Sequence, residues 1–233
     1  MTQARPSYLG VGIYRLSEAA RLTSVPTQKI SRWVCGYTYR SAGKAHRAMP
    51  IWERQLPDVD GVVAVGFLDL MEIRFVEAFR RYGVSLQTVR RAARCARKLI
   101  GHEHAFSTKR FRTDGRTIFA ELHPRDKAEE RVLLDLKKSQ FAFDKILKPY
   151  LYAGLEFEGG VTARWYPLEG SQRIVVDPRR AFGQPIVAKE GVPTAILTAA
   201  VKHGQSPTAV AKWYEVEPES VRDAIAFERQ LAA

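Results

Sequence analysis

The sequence predicts a mainly α-helical fold with small β-hairpins, and helix-turn-helix units toward both ends. Three observations carry that expectation. Apolar residues recur at helical spacing over 14–34, 68–100 and 193–233. Asp-Gly and Gly-Gly pairs lie between β-rich runs and mark tight turns. A chain of 233 residues that is 45% hydrophobic and 27% charged is too apolar to be disordered and long enough to bury one or two cores. No stretch approaches the roughly 18 consecutive apolar residues of a membrane span, so no membrane partner is expected. The first residues lack the apolar core of a secretion signal, and two cysteines make no disulfide framework, which suits a reducing cytoplasm.

Taken in order, Ser17 is a good N-cap, and Ala19, Ala20 and Leu22 supply the apolar face of a short helix over about 18–22. Thr23, Ser24 and Val25 make a turn, and Pro26 suits the opening of a second helix. Ile30, Trp33 and Val34 form that helix's buried stripe and leave Thr27, Gln28, Lys29 and Arg32 facing outward. This is a helix-turn-helix. Arg40, Lys44 and Arg47 follow in a basic, glycine-containing loop. MPIWERQL and VVAVGF flank Asp60-Gly61 and predict a hairpin placed as a wing. Two helices come next, broken at Tyr82-Gly83-Val84, with Ser85 capping the second. Leu70, Ile73, Phe75, Val76 and Phe79 line the first; the second buries Leu86, Val89, Ala93 and Ala96 and displays Arg90, Arg91, Arg94, Arg97 and Lys98.

Asp114-Gly115 predicts another hairpin over 106–122. A helix is expected over 126–150, then three short strands with Gly159-Gly160 at the first turn. The remainder reads as three helices: Gly204 stops the first, Ser206 caps the second and Glu217-Pro218 opens the third. The expected division is 1–125 for a winged DNA-binding domain with its hairpin extension, 126–172 for a connector, and 173–233 for a C-terminal three-helix domain.

Charge sharpens the functional reading. Residues 1–125 hold 22 Lys/Arg against 10 Asp/Glu, whereas 126–233 hold 15 of each. The whole excess of +12 therefore coincides with the helix-turn-helix half, as expected for a part that meets a polyanion. Thr27, Gln28, Lys29 and Arg32 offer the donors and acceptors that read base edges in the major groove. Arg40, Lys44, Arg47, Arg90, Arg91 and Arg94 are assigned to phosphates, which position without specifying. His102-Glu103-His104 lacks a third adjacent ligand and reads as a polar loop, so no metal is expected. Cys35 and Cys95 read as small buried hydrophobes, and Trp33, Trp52, Trp165 and Trp213 as core. No phosphate loop, nucleophile elbow or HExxH motif is present, so neither catalysis nor a cofactor is expected.

Residues 14–100, from YRLSEAARLTSVPTQKISRW to LMEIRFVEAFRRYGVSLQTVRRAA, resemble the MerR-type winged helix-turn-helix, including the GVSL break. The long coiled-coil dimerisation helix and effector-metal cysteines of typical MerR regulators are absent from the sequence. The C-terminal part resembles a widespread bacterial domain of VapB-type antitoxins through Gly183–Ile186, Gly191–Thr194, Val210–Tyr214 and Val221–Glu228. The resemblance implies an antitoxin of a type II toxin–antitoxin pair. It would bind double-stranded DNA at its own operator and neutralise a PIN-like ribonuclease toxin, as a homodimer or a hetero-oligomer with that toxin. A nuclease of that kind has an acidic metal-binding cleft, and a guanidinium can enter one and hold a carboxylate bidentately. Arg179 and Arg180 are the adjacent arginines of the neutral half and would serve; local salt bridges are the equal alternative. The residues also leave open a stand-alone MerR-like transcription regulator whose C-terminal half dimerises or senses a ligand.

Overall fold

A computed structural model describes residues 8–120 and 152–232. Within them the protein is mainly helical with small antiparallel sheets. Strand β1 (Tyr14–Arg15) leads directly into helix α1 (Leu16–Thr23). Arg15, not Ser17, is the N-cap: its backbone N–H donates to Glu18 Oε2 at 2.8 Å, and Ser17 lies inside the first turn. Ser24 takes a left-handed conformation, φ 54°, and Pro26 precedes α2 (Thr27–Val34). Ile30, Trp33 and Val34 are buried against Ala19 and Val25, so the expected helix-turn-helix stands.

The next stretch differs from expectation. Residues 40–47 are not a loop: β2 (Tyr37–Ser41) and β3 (Lys44–Ala48) form a hairpin turning at Ala42-Gly43, both at positive φ. Such a turn favours Asn-Gly or Asp-Gly, and Ala42 hides it from a sequence reading. Asp60-Gly61 does make a tight turn, with Val59 and Val62 exchanging hydrogen bonds at 2.9 Å. Strands do not extend from it. MPIWERQL is an irregular strap whose Ile51 and Trp52 are buried, and only β4 (Ala64–Val65) follows, pairing with β1. The strap's backbone is taken up by other partners: Ile51 N–H donates to Trp33 O at 2.8 Å, and Gln55 N–H to Asp69 Oδ2 at 3.1 Å.

Helix α3 (Phe67–Arg81) is buried nearly all round and forms the centre of the larger core. Helix α4 (Leu86–Ile100) starts at Ser85, whose Oγ accepts from Thr88 N–H at 3.1 Å, and ends at left-handed Gly101. The hairpin expected over 106–122 is absent. A 3₁₀ turn (Ala105–Ser107) leads into α5 (Lys109–Ala120), and Asp114-Gly115 lies within that helix. Thr108 caps it by accepting from Phe111 N–H at 3.1 Å, and Phe106 and Phe111 are fully buried beside Phe75. Burial of two aromatic rings against α3 outweighs the local turn preference of an Asp-Gly pair. The helix expected over 126–150 lies outside the described residues.

Three strands expected after residue 152 are present, and a fourth joins them. The sheet runs β5 (Leu155–Glu158), β6 (Val161–Trp165), β7 (Ile174–Val176) and β8 (Pro185–Val187), antiparallel throughout. Gly159-Gly160 is the first turn. Helices α6 (Thr194–Lys202), α7 (Pro207–Trp213) and α8 (Pro218–Ala232) complete the chain as expected, with Ser206 Oγ accepting from Ala209 N–H. They enclose a second core of Leu197, Val210, Val221, Ala224 and Phe227 with Ile174 and Val187. Trp33, Trp52 and Trp165 are buried, but Trp213 is 72% exposed at the end of α7, so core membership fails for it. Cys35 and Cys95 are half-buried rather than buried.

The segment 13–21 meets the C-terminal elements. Ile13 N–H donates to Phe182 O at 3.0 Å, and the Tyr14 hydroxyl donates to Gly183 O at 2.8 Å. Arg21 on α1 pairs with Glu228 on α8 at 3.1 Å. The helix-turn-helix is thus docked on the C-terminal helices.

Candidate nucleic-acid interface

Helix α2 is short, and its buried stripe fixes which residues it offers. Thr27, Gln28, Lys29 and Arg32 are all exposed. Two of them have partners. Lys29 Nζ lies 3.6 Å from Glu77 Oε2 on α3, and the Arg32 guanidinium sits 4.8 Å from the centre of the Tyr37 ring. Stacking of that kind orients an arginine while leaving its edge donors available.

The hairpin lies beside α2. Its register pairs Thr38 with Arg47, Arg40 with Ala45, Ser41 with Lys44 and Tyr39 with His46. Alternation therefore puts Arg40 and Arg47 on one face and Lys44 with Tyr37, Tyr39 and His46 on the other. All three basic residues are exposed. The aromatic face is a ladder: Tyr39 stacks on His46 at 5.4 Å and Tyr37 lies 5.9 Å from Tyr39. These aromatics and Met49 escaped the sequence reading. The available signal was the period-2 alternation of YTYR and KAHR either side of Ala42-Gly43.

The arginine row of α4 divides. Arg94 is exposed, whereas Arg90 and Arg91 are half-buried. Arg90 leans across a groove shared by Tyr37, Tyr39, Met49 and Gln87, and its guanidinium donates to the Met49 carbonyl. Burial pulls the Arg90 pKa below the usual arginine value. Arg97 donates to Ile51 O at 2.8 Å and pairs with Glu103 at 2.8 Å.

Beneath this surface lies a buried polar cluster. Asp69, fully buried, accepts from the Trp52 indole at 2.8 Å and from Gly66 N–H at 2.7 Å, and it contacts His104 Nε2 at 2.8 Å. The histidines expected in a polar loop are therefore split: His104 is a core residue. Burial alone would lower its pKa, but the Asp69 hydrogen bond and charge, with Glu72 and Glu103 nearby, hold it above the usual imidazole value. Burial pushes Glu72 up to about 7 against the pull of His104 and two hydrogen bonds from Ser107.

The arginines assigned to a toxin are both engaged within the chain. Arg179 binds Glu158 bidentately at 2.7 and 3.1 Å, and its backbone N–H donates to Asp177 Oδ1 at 2.9 Å. Arg180 donates to the Ala188 carbonyl and packs beneath Gly191. Beyond them Ala181, Phe182 and Gly183 are all left-handed, and Phe182 is 62% exposed.

A helix-turn-helix with a basic exposed face, docked on a compact C-terminal unit, defines the chain as a helix-turn-helix protein of two joined cores. Residues 12–93 match the family described as "Putative DNA-binding HTH domain", and residues 174–227 match that described as "Protein of unknown function (DUF433)". The chain is 32% identical over 225 residues to the Mycobacterium tuberculosis protein "Putative antitoxin VapB45", covering 92% of this chain and 93% of that protein. The crystal structure of Rv2018 from the same organism superposes with a TM-score of 0.72 at 26% identity, covering 93% of this chain and 99% of the other. The chain belongs to the VapB45 family of VapB-like antitoxins. No described helix is long and apolar enough to cross a membrane.

Proposed function

We propose that the chain is the antitoxin of a type II toxin–antitoxin pair. It binds its own promoter DNA through a MerR-like winged helix-turn-helix, represses the operon, and neutralises a PIN-like ribonuclease toxin. The observation that carries the DNA half of this reading is the segregation of charge. The whole +12 excess falls on residues 1–125, where α2, the hairpin and α4 offer exposed Lys29, Arg32, Arg40, Lys44, Arg47 and Arg94 together. The relationship to VapB45 supports the antitoxin half.

In this reading the hairpin is the wing, α2 enters the major groove, and Thr27, Gln28 and Arg32 read bases. Residues 1–125 contact DNA, 126–172 connect, and 173–233 meet the toxin. Arg179 is the proposed guanidinium for the nuclease cleft: its bond to Glu158 is exposed, and exposed ion pairs exchange partners at little cost. Arg180, tied to a backbone carbonyl, fixes the loop. Paired operator half-sites call for a dimer or a hetero-oligomer with toxin.

The test is co-expression with the neighbouring reading frame. Pull-down of a nuclease whose RNase activity falls on complex formation, with salt-sensitive binding of promoter DNA, is the expected result. A runner-up, a ligand-sensing regulator without a toxin, draws on the cleft between α1 and the C-terminal helices lined by Tyr14, Glu18, Arg21, Thr194 and Glu228. Failure to recover any nuclease, with DNA binding intact, would favour it.

A further inference from the structure

We propose that Arg90 and Arg97 are positioning residues that set the angle of the hairpin and do not themselves contact DNA; this rests on the reading of the hairpin as a DNA-binding wing. Among the described residues β2 and β3 pair only with each other, and a lone two-stranded ribbon does not hold its own orientation. Each strand has five residues. At about 3.3 Å per residue the hairpin is a lever of roughly 17 Å, so a swing of about 10° at its base moves the tip by about 3 Å. That displacement stretches a hydrogen bond from Lys44 to a phosphate past the roughly 3.5 Å at which such bonds fail. The Lys44 charge stays within the roughly 8–10 Å over which it still displaces counterions, so affinity falls and the salt slope is kept.

The base is held by the strap that leaves β3. Arg90 donates to Met49 O, and Arg97 to Ile51 O at 2.8 Å. Ile51 N–H donates to Trp33 O at 2.8 Å, so one residue ties the strap to α2 and to α4 together. Glu103 accepts from Arg97 at 2.8 Å and from Glu53 N–H at 2.6 Å, and Asp69 takes the Trp52 indole and Gln55 N–H further along. The charge of Arg97 is thereby spent on Glu103. Arg94, in the same row and exposed, remains the phosphate contact.

The two roles differ in salt dependence. Each phosphate contact adds about 0.9 to the slope of log affinity against log salt, whereas a positioning residue adds nothing. The experiment is fluorescence anisotropy of a labelled promoter duplex across a salt series, with full-length protein and variants. Arg90→Ala and Arg97→Ala should raise Kd about tenfold at every salt and leave the slope unchanged, as loss of a charge-assisted hydrogen bond predicts. Arg94→Ala should flatten the slope by about 0.9. Hydrogen exchange over 37–48 should quicken in the Arg90 and Arg97 variants by more than it does over α3, which these bonds do not touch. Glu103→Ala is the control that avoids touching an arginine. Removing an exposed negative charge near DNA should tighten binding if only charge matters; a positioning role requires it to weaken binding. A slope lowered by about one for Arg90→Ala, or tighter binding by Glu103→Ala, overturns the proposal. Absence of promoter binding by the unaltered protein would instead overturn the DNA-binding reading.

Discussion

At the scale of single residues, Lys29 and Arg32 leave the same exposed face of α2 and differ in what holds them. Thr27, Gln28, Lys29 and Arg32 follow from the burial of Ile30, Trp33 and Val34, because a helix that buries one stripe must expose the other. Their partners lie far along the chain. Lys29 meets Glu77, which also takes Arg81 at 3.4 Å, and no spacing rule connects positions 29 and 77. On the proposed reading, Arg32, held over Tyr37, is the better base reader of the two. Arg32→Ala should cost about 1–3 kcal/mol of discrimination at one base position, read from binding to duplexes with single substitutions. Equal weakening on every duplex would move Arg32 to the backbone contacts. Arg32→Lys should fall short of the native protein at the same position, since an ammonium neither stacks nor bonds guanine bidentately.

At the scale of elements, strongly periodic helices were legible and turns carried by unfavourable residues were not. Helices α3 and α4 follow from their apolar spacing and the Ser85 cap. The hairpin over 37–48 was obscured by Ala42, and α5 by an Asp-Gly pair that core burial of Phe106 and Phe111 overrides. The polar cluster joining α3 to the 3₁₀ turn was illegible for another reason. His104 reads as part of a polar loop because charged groups are rarely buried unless paired, and its pairing with Asp69, like that of Glu72 with Ser107, spans 35 positions. This cluster sets a pH dependence. Glu72 and His104 both bind a proton more tightly when folded than when unfolded, since both folded pKa values are raised. Each contribution is therefore complete below the unfolded pKa and is lost as pH rises through the folded one. For Glu72 that window runs from the usual carboxylate range to about 7, and for His104 it lies above the usual imidazole value. Stability to urea should decline as pH rises from the ordinary carboxylate value of 4.5 through about 7, where folded Glu72 loses its proton, and further above the usual imidazole value as His104 loses its own. Glu72→Gln should flatten the lower part of that decline, because the amide oxygen still accepts from Ser107 and no longer titrates. A native protein equally stable at both ends of the range would remove Glu72 and His104 as the cause.

At the scale of the whole molecule, the charge boundary near residue 125 does not coincide with a gap in packing. Tyr152, Leu155, Trp165 and Val176 belong to the larger core with Phe75 and Phe106, and Arg74 stacks 4.1 Å over Trp165. The basic half and the C-terminal half are further joined by the loop 181–183, which approaches β1 closely. Gly183 has φ 84°, and a Cβ placed there would sit 2.2 Å from the Tyr14 hydroxyl. Gly183→Ala therefore carries two penalties. Ala at a positive φ costs more than about 1 kcal/mol, and the clash drives the loop from β1, breaking the bonds from Ile13 and Tyr14. The Arg21–Glu228 ion pair spans the same junction, but the arginine is 56% exposed, and its loss in Arg21→Ala should cost no more than about 1 kcal/mol. Denaturant unfolding should accordingly rank Gly183→Ala well below Arg21→Ala in stability. On the proposed reading the consequence reaches the DNA, because β1 runs without a break into α1 and loosening it frees the first helix of the pair that positions α2. Promoter affinity should fall in Gly183→Ala although the substitution lies in the neutral half. If affinity is unchanged while stability drops, the junction holds the two cores together without steering the DNA-binding helices.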